Sequence, residues 1–226
     1  MFGMPQQTPF DIRFTLFRIP ISVGPFFWLV ALIFCSDFRD GKLIAIGVFA
    51  FFLAILVHEL GHALVIRYIF GASPWVVLHG FGGLTFHQPP YYYRTPRYAG
   101  RILISFAGPM AGFLLSFLCY FLAGHFGEET LGKYLYFLLG FLYIIGIFWG
   151  VINLLPVYPL DGGQICREIC QWIGPRRGVR VSLYISAVTG IIAAMLGFLL
   201  FRSFFLPLLF GLLAYQSIQM LQMRRY

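Results

Sequence analysis

Six stretches of this chain carry no charged side chain: 19–36, 43–57, 102–124, 134–160, 181–201 and 203–223. A helix needs about 20 apolar residues to cross about 30 Å of hydrocarbon. A chain built mainly from such runs is not a water-soluble fold. Charged residues make up only 11% of it, where soluble domains carry about a quarter. Disorder is excluded by 27 Phe and 13 Tyr, and a disulfide scaffold by four Cys with no CxxC pair. The 16 Lys and Arg outnumber eight acids, but basic loop ends in a membrane chain report orientation, so no nucleic-acid partner is expected.

The expected fold class is an all-α polytopic membrane protein. It has about six transmembrane helices, at 19–36, 43–66, 102–124, 134–155, 181–201 and 203–223, in a single membrane-embedded domain over 1–226. The second run continues past His58, Glu59 and His62, because apolar residues resume up to Ile66. Three polar side chains thus sit inside an apolar helix, and ionisable groups in lipid are functional by default. The first run lacks the small-residue site of a cleaved signal peptide and is expected to be retained.

Twelve of the 16 basic residues fall on one side of the alternating topology: at the two ends of the chain and in the loops 67–101 and 167–180. Arg39, Lys42, Lys133 and Arg202 fall on the other. The positive-inside rule places both termini and the two large loops in the cytoplasm. The loop after the second span holds Pro74, Pro89, Pro90, Pro96 and a glycine-rich cluster at 80–83. Its runs 75–78 and 84–86 are β-prone and separated by glycines, which predicts a short β-hairpin or edge strands.

His58-Glu59-Leu60-Gly61-His62 is an HExxH motif. Residues four apart share one helix face, so both imidazoles can reach one metal ion. Glu59 is rotated about 100° from His58 and can reach a water on that ion without ligating it. The bland alternative is a helix whose polar side chains bond neighbouring helices. An open zinc site needs a third protein ligand. Among the downstream acids, Glu128 and Glu129 fall in an external loop, whereas Asp161 follows a span that runs in the same direction as the second. His58 and Asp161 therefore reach the same cytoplasmic depth. Pro156, Pro159, Gly162 and Gly163 break the helix around Asp161, and broken backbone in a membrane is tolerated where it lines a protein cavity.

His58 to Ala63 (HELGHA), together with Asn153-Leu154-Leu155-Pro156-Val157-Tyr158-Pro159-Leu160-Asp161-Gly162-Gly163, resembles the site-2 protease family of intramembrane zinc metalloproteases. The likeness also takes in Phe106-Ala107-Gly108-Pro109 and the Gly82-Gly83 turn. Gly112 departs from it, because many relatives carry Asn there. Nothing here is long enough to be a PDZ domain or a CBS pair, which gives the expectation of a minimal catalytic core. The resemblance implies one zinc ion held by His58, His62 and Asp161, with Glu59 as the base. It also implies that Asn153 helps to hold substrate or oxyanion, where a helix-to-helix hydrogen bond is the plain alternative. Gly82 and Gly83 would let a substrate backbone approach a strand edge, or would simply make a tight turn.

The implied partners are a single-pass membrane protein as substrate, the lipid bilayer and a regulatory membrane protein. The implied location is a prokaryotic plasma membrane. Two rival readings are a different HExxH peptidase whose third ligand is a helical Glu, for which Glu168 is the candidate, and a catalytically silent metal-binding chaperone or regulator. Cys166 and Cys170, four apart, are read as packing, as are Cys35 and Cys119. His79 and His87 are read as solvated loop residues, and His125 as lying on the opposite side.

Overall fold

The computed structural model describes residues 8–80, 82–88, 97–201 and 205–223. Phe81, Pro89, Pro90 and Pro96 of the expected loop, and the first two residues of the expected last span, lie outside them. The chain divides into two compact units, Met1–Thr95 with Ala107–Gly150, and Pro96–Phe106 with Val151–Tyr226.

The first unit opens with strand β1 (Ile12–Leu16) and strand β2 (Ile19–Val23), paired antiparallel with Leu16 opposite Ile19. The two residues between them, Phe17 and Arg18, both have positive φ, at 50° and 59°, which gives a tight hairpin the twist its strands require. Helices α1 (Pro25–Cys35) and α2 (Gly41–Leu64) follow, and a π-helical turn over Val65–Ile69 ends α2. Strand β3 (Ser73–His79) then lies parallel to β2, with Ile21 opposite Val76, and pairs antiparallel with β4 (Gly82–Gln88). The sheet order is β1-β2-β3-β4. Parallel neighbours need a long crossover, and α1 with α2 supplies it. Ile19, Ile21, Val23, Val76 and Leu78 close on Phe27 and Ile55 to make the core of this unit.

The hairpin expected after the second span is therefore present, as β3 and β4. The first expected span is not one helix. Ile19, Ile21 and Val23 are buried at alternate positions and pair as a strand, and only the 11 residues of α1 are helical. That helix is about 16 Å long, roughly half of a hydrocarbon core. Absence of charge marked the stretch as apolar, but the β-branched residues with period two belong to a sheet.

Helix α3 runs over Tyr98–Asn153, with non-helical backbone at Gly127 and Gly132, where φ is 67° and 73°. Two arms result, and they correspond to the third and fourth expected spans. They fold back on one another: Gly146 meets Ser116, and the rings of Tyr120 and Tyr143 lie 5.3 Å apart. A Cβ at Gly112 would be 3.6 Å from the Gly146 carbonyl, ordinary contact, so the departure noted at Gly112 leaves the arms packed.

In the second unit, α4 (Asp161–Ile173), α5 (Gly178–Phe201) and α6 (Phe205–Met223) follow an irregular stretch at 154–160. Val157 is fully buried against Leu206, Phe210 and Leu213. The backbone N–H of Tyr158 donates to Ser186 Oγ at 2.8 Å, which lies 2.7 Å from Ser217 Oγ. These contacts tie the stretch before Asp161 to α5 and α6.

Among the described residues, three helices are long and apolar enough to cross a membrane by length and composition: Gly41–Ile69, Tyr98–Asn153 and Gly178–Leu200. Large apolar side chains such as Phe117, Phe121, Leu199 and Leu200 are exposed along them. In water that pattern would aggregate, and in lipid it is solvated.

Candidate metal centre

His58, Glu59 and His62 are all buried on α2. The two imidazoles meet with Nε2 atoms 3.3 Å apart. Two nitrogen ligands at the usual 2.0–2.1 Å from a tetrahedral zinc ion would be separated by about 3.3 Å, so the spacing suits a shared ion. Small residues make the arrangement possible. A Cβ at Gly108 of α3 would overlap the His62 ring, and one at Gly61 would overlap the Ala107 carbonyl and Ala111. Both glycines let two helices approach closely in a setting where small residues replace the hydrophobic drive to associate. They belong to segments already singled out in the sequence, but their part in holding a ring was not visible there.

Glu59 is held from the sheet. The Thr85 hydroxyl on β4 donates to its Oε2 at 2.7 Å and lies 3.2 Å from its backbone carbonyl. Gly83, two residues earlier on the same strand, has no room for a Cβ because the Glu59 side chain lies on it. Gly82, with φ at 118°, stands against Trp149, where a Cβ would come within 2.8 Å of Cζ2. Both glycines thus have packing reasons to be glycine. Thr85 was not among the residues expected at the site, because the pairing of β4 with α2 is a long-range contact that no local pattern announces.

This contact gives a prediction. Thr85→Val removes the hydroxyl at nearly constant volume and should leave metal content unchanged while lowering the rate of substrate cleavage about tenfold, in the range of one hydrogen bond to a charged group. Thr85→Ser should restore the rate. A Val variant as active as the wild type would show that Glu59 needs no such support.

Asp161 is the first residue of α4 and is buried. A carboxylate at that position is favoured by the helix dipole. Gly162 and Gly163 have no room for a Cβ against the backbone of Leu154 and Val157, so the turn into α4 depends on the Gly pair. Asn153 ends α3 and is half-buried. Among the described residues, His58, His62 and Asp161 are the group of three ligand-bearing side chains that could hold a metal ion. Two imidazoles and one carboxylate make the donor set of an open zinc site, with a position left for water.

Other expected residues lie elsewhere. Glu168 Oε2 is engaged by Arg101 at 2.7 Å, which occupies the carboxylate proposed for the rival site. Burial, with the neighbouring Cys170, pushes the Cys166 thiol up to about 11. His79 is half-buried and His87 exposed on the sheet, each held below the ordinary imidazole value by burial.

The model for peptidase family M50 matches residues 125–197, the stretch that carries Asn153 and Asp161. The solved structure of the site-2 protease from Methanocaldococcus jannaschii superposes with a TM-score of 0.63, at 25% identity, covering 93% of this chain and 94% of that one. The chain is similar to the site-2 protease family of zinc metalloproteases. A zinc metalloprotease of the same archaeon is 28% identical over 94% of this chain, and stage IV sporulation protein FB of Bacillus subtilis is 29% identical over 65%. The protein Rip3 of Mycobacterium tuberculosis is 34% identical over 50%. The chain spans 57%, 46% and 28% of the lengths of those three proteins.

Proposed function

We propose that this chain is a zinc endopeptidase that cuts membrane-spanning substrates within or near the bilayer. The observation that carries the reading is the buried His58 and His62 pair, 3.3 Å apart at Nε2, with Glu59 beside it and fixed by Thr85. Asp161 would complete the ligand set. When bound, zinc supplies Lewis-acid activation of water and of a peptide carbonyl. Glu59 accepts the proton of the attacking water and delivers it to the leaving amine, the work of a general base and then a general acid. The Thr85 bond at Oε2 holds that carboxylate in one orientation. Asn153 is proposed to hold the substrate backbone or the oxyanion, and Gly82 and Gly83 to let an unwound substrate strand approach β4.

The substrate class is a single-pass membrane protein whose helix unwinds before cleavage, with a regulatory membrane protein as a further partner. The chain would form one domain in a prokaryotic plasma membrane, with the loops 67–101 and 167–180, the C-terminus and the metal centre toward the cytoplasm. The charge bias across the loops supports that orientation.

The test is metal analysis of the purified protein beside a cleavage assay. Wild type and Glu168→Ala should each carry one zinc per chain and cleave substrate in a chelator-sensitive way, and Asp161→Ala should lose both metal and activity. Zinc retained by Asp161→Ala and lost by Glu168→Ala would instead assign the rival ligand set. A metal-loaded wild type that cleaves no membrane substrate would favour the silent regulator.

A further inference from the structure

Helix α4 carries two stripes of opposite character. Gln164, Glu168 and Gln171 recur with helical spacing, and with Arg167 they line a polar cavity of about 270 Å³. Ile165, Ile169 and Trp172 recur with the same spacing on another face. That apolar stripe becomes more open toward the C-terminus: Ile169 is 42% exposed, Trp172 60% and Ile173 83%. A helix with one apolar and one polar stripe lies in the membrane interface rather than across it.

The turn that follows is basic. Arg176 and Arg177 are exposed in the tight bend between α4 and α5, where the Gly178 N–H donates to the Gly174 carbonyl at 2.7 Å. Gly178 lies directly on the backbone of Cys170 and Gln171, so the bend is folded against the last turn of α4. Arg180 is exposed one residue before the charge-free run at 181–201. Three guanidinium groups therefore stand between an exposed Trp and Ile pair and the start of a long apolar helix. Trp172 stacks on Tyr98 with ring centroids 6.5 Å apart and planes 13° from parallel, and the Arg101 guanidinium lies 5.1 Å from the Tyr98 ring. Such aromatic and basic groupings mark the headgroup level of a bilayer.

We infer that the C-terminal end of α4 and the Gly174–Gly178 bend form a binding surface for anionic phospholipid, with Trp172 and Ile173 set among the upper acyl carbons and Arg176, Arg177 and Arg180 on the phosphates. Charge complementarity selects an anionic lipid over a zwitterionic one, and the apolar tip beside the arginines suits acyl chain. The surface lies at the opposite end of the helix that begins with Asp161. It stands without the protease reading, because its test needs no catalysis.

The experiment reconstitutes the whole protein in phosphatidylcholine vesicles containing a minority of phosphatidylglycerol. Bromine is placed on the acyl chains either of the phosphatidylglycerol or of an equal amount of the phosphatidylcholine. The quenching that belongs to Trp172 is the difference between wild type and Trp172→Phe. It should be about twofold greater with brominated phosphatidylglycerol at low salt, and should fall toward equality as salt screens the arginines. Arg176→Gln, Arg177→Gln and Arg180→Gln combined should abolish the preference, whereas the same three positions as Lys should keep it. Equal quenching by the two lipids in the wild type, which needs no variant to fold, would overturn the inference. So would a preference that survives in the Gln variant.

Discussion

Glu59→Gln is expected to leave one zinc per chain while lowering cleavage of a transmembrane substrate by about 10²–10⁴-fold, the usual worth of a positioned general base. The substitution keeps the shape of the side chain and its place over Gly83, and the amide oxygen can still accept the Thr85 hydroxyl proton. What it removes is the ability to take a proton from water. Glu59 lies next to His58 in sequence but points about 100° away from it on the helix, so the imidazole pair should be undisturbed. Metal analysis and a co-expressed substrate read the two properties separately. Zinc lost together with activity would make Glu59 a ligand, and proteolysis retained with zinc would overturn the proposed mechanism. Because the variant still binds but does not turn over, it is also a means of trapping the substrate.

Residues that determine the proposed chemistry were legible in the sequence because each breaks a local rule. His58, Glu59 and His62 interrupt an apolar helix, and Asp161 sits where Pro and Gly end one. The two arms of α3 and the helix α5 were legible for the opposite reason, as long runs with nothing charged to interrupt them. Strand β2 was not, because an absence of charge reports burial and not period, and Ile19, Ile21 and Val23 find their partners on β1 and β3. Nor was Thr85. It reaches Glu59 across 26 positions of chain, and a Thr between Leu84 and Phe86 looks like any other residue of a β-prone run. Local signals placed the groups proposed to react, and long-range packing supplied the contact that holds Glu59.

Gly108→Ala should separate that packing from the chemistry. In an isolated helix the change would stabilise by about 1 kcal/mol, since Gly is a poor helix former. Here the added methyl group meets the His62 imidazole, including Nε2. The ring must turn, and the nitrogen pair that stands 3.3 Å apart in the wild type is lost. Zinc affinity is expected to fall about 10–100-fold, the cost of disturbing groups that orient metal ligands, while helix content by circular dichroism stays constant. Gly61→Ala is the control. Its methyl group meets the Ala107 backbone carbonyl and Ala111, which cannot rotate away, so the expected effect is a loss of about 1–3 kcal/mol of stability from overpacking, seen as a lower Tm. A Gly108→Ala protein that binds zinc as tightly as the wild type would mean that the position of His62 is set from elsewhere. The close approach of α3 would then be a matter of helix packing alone.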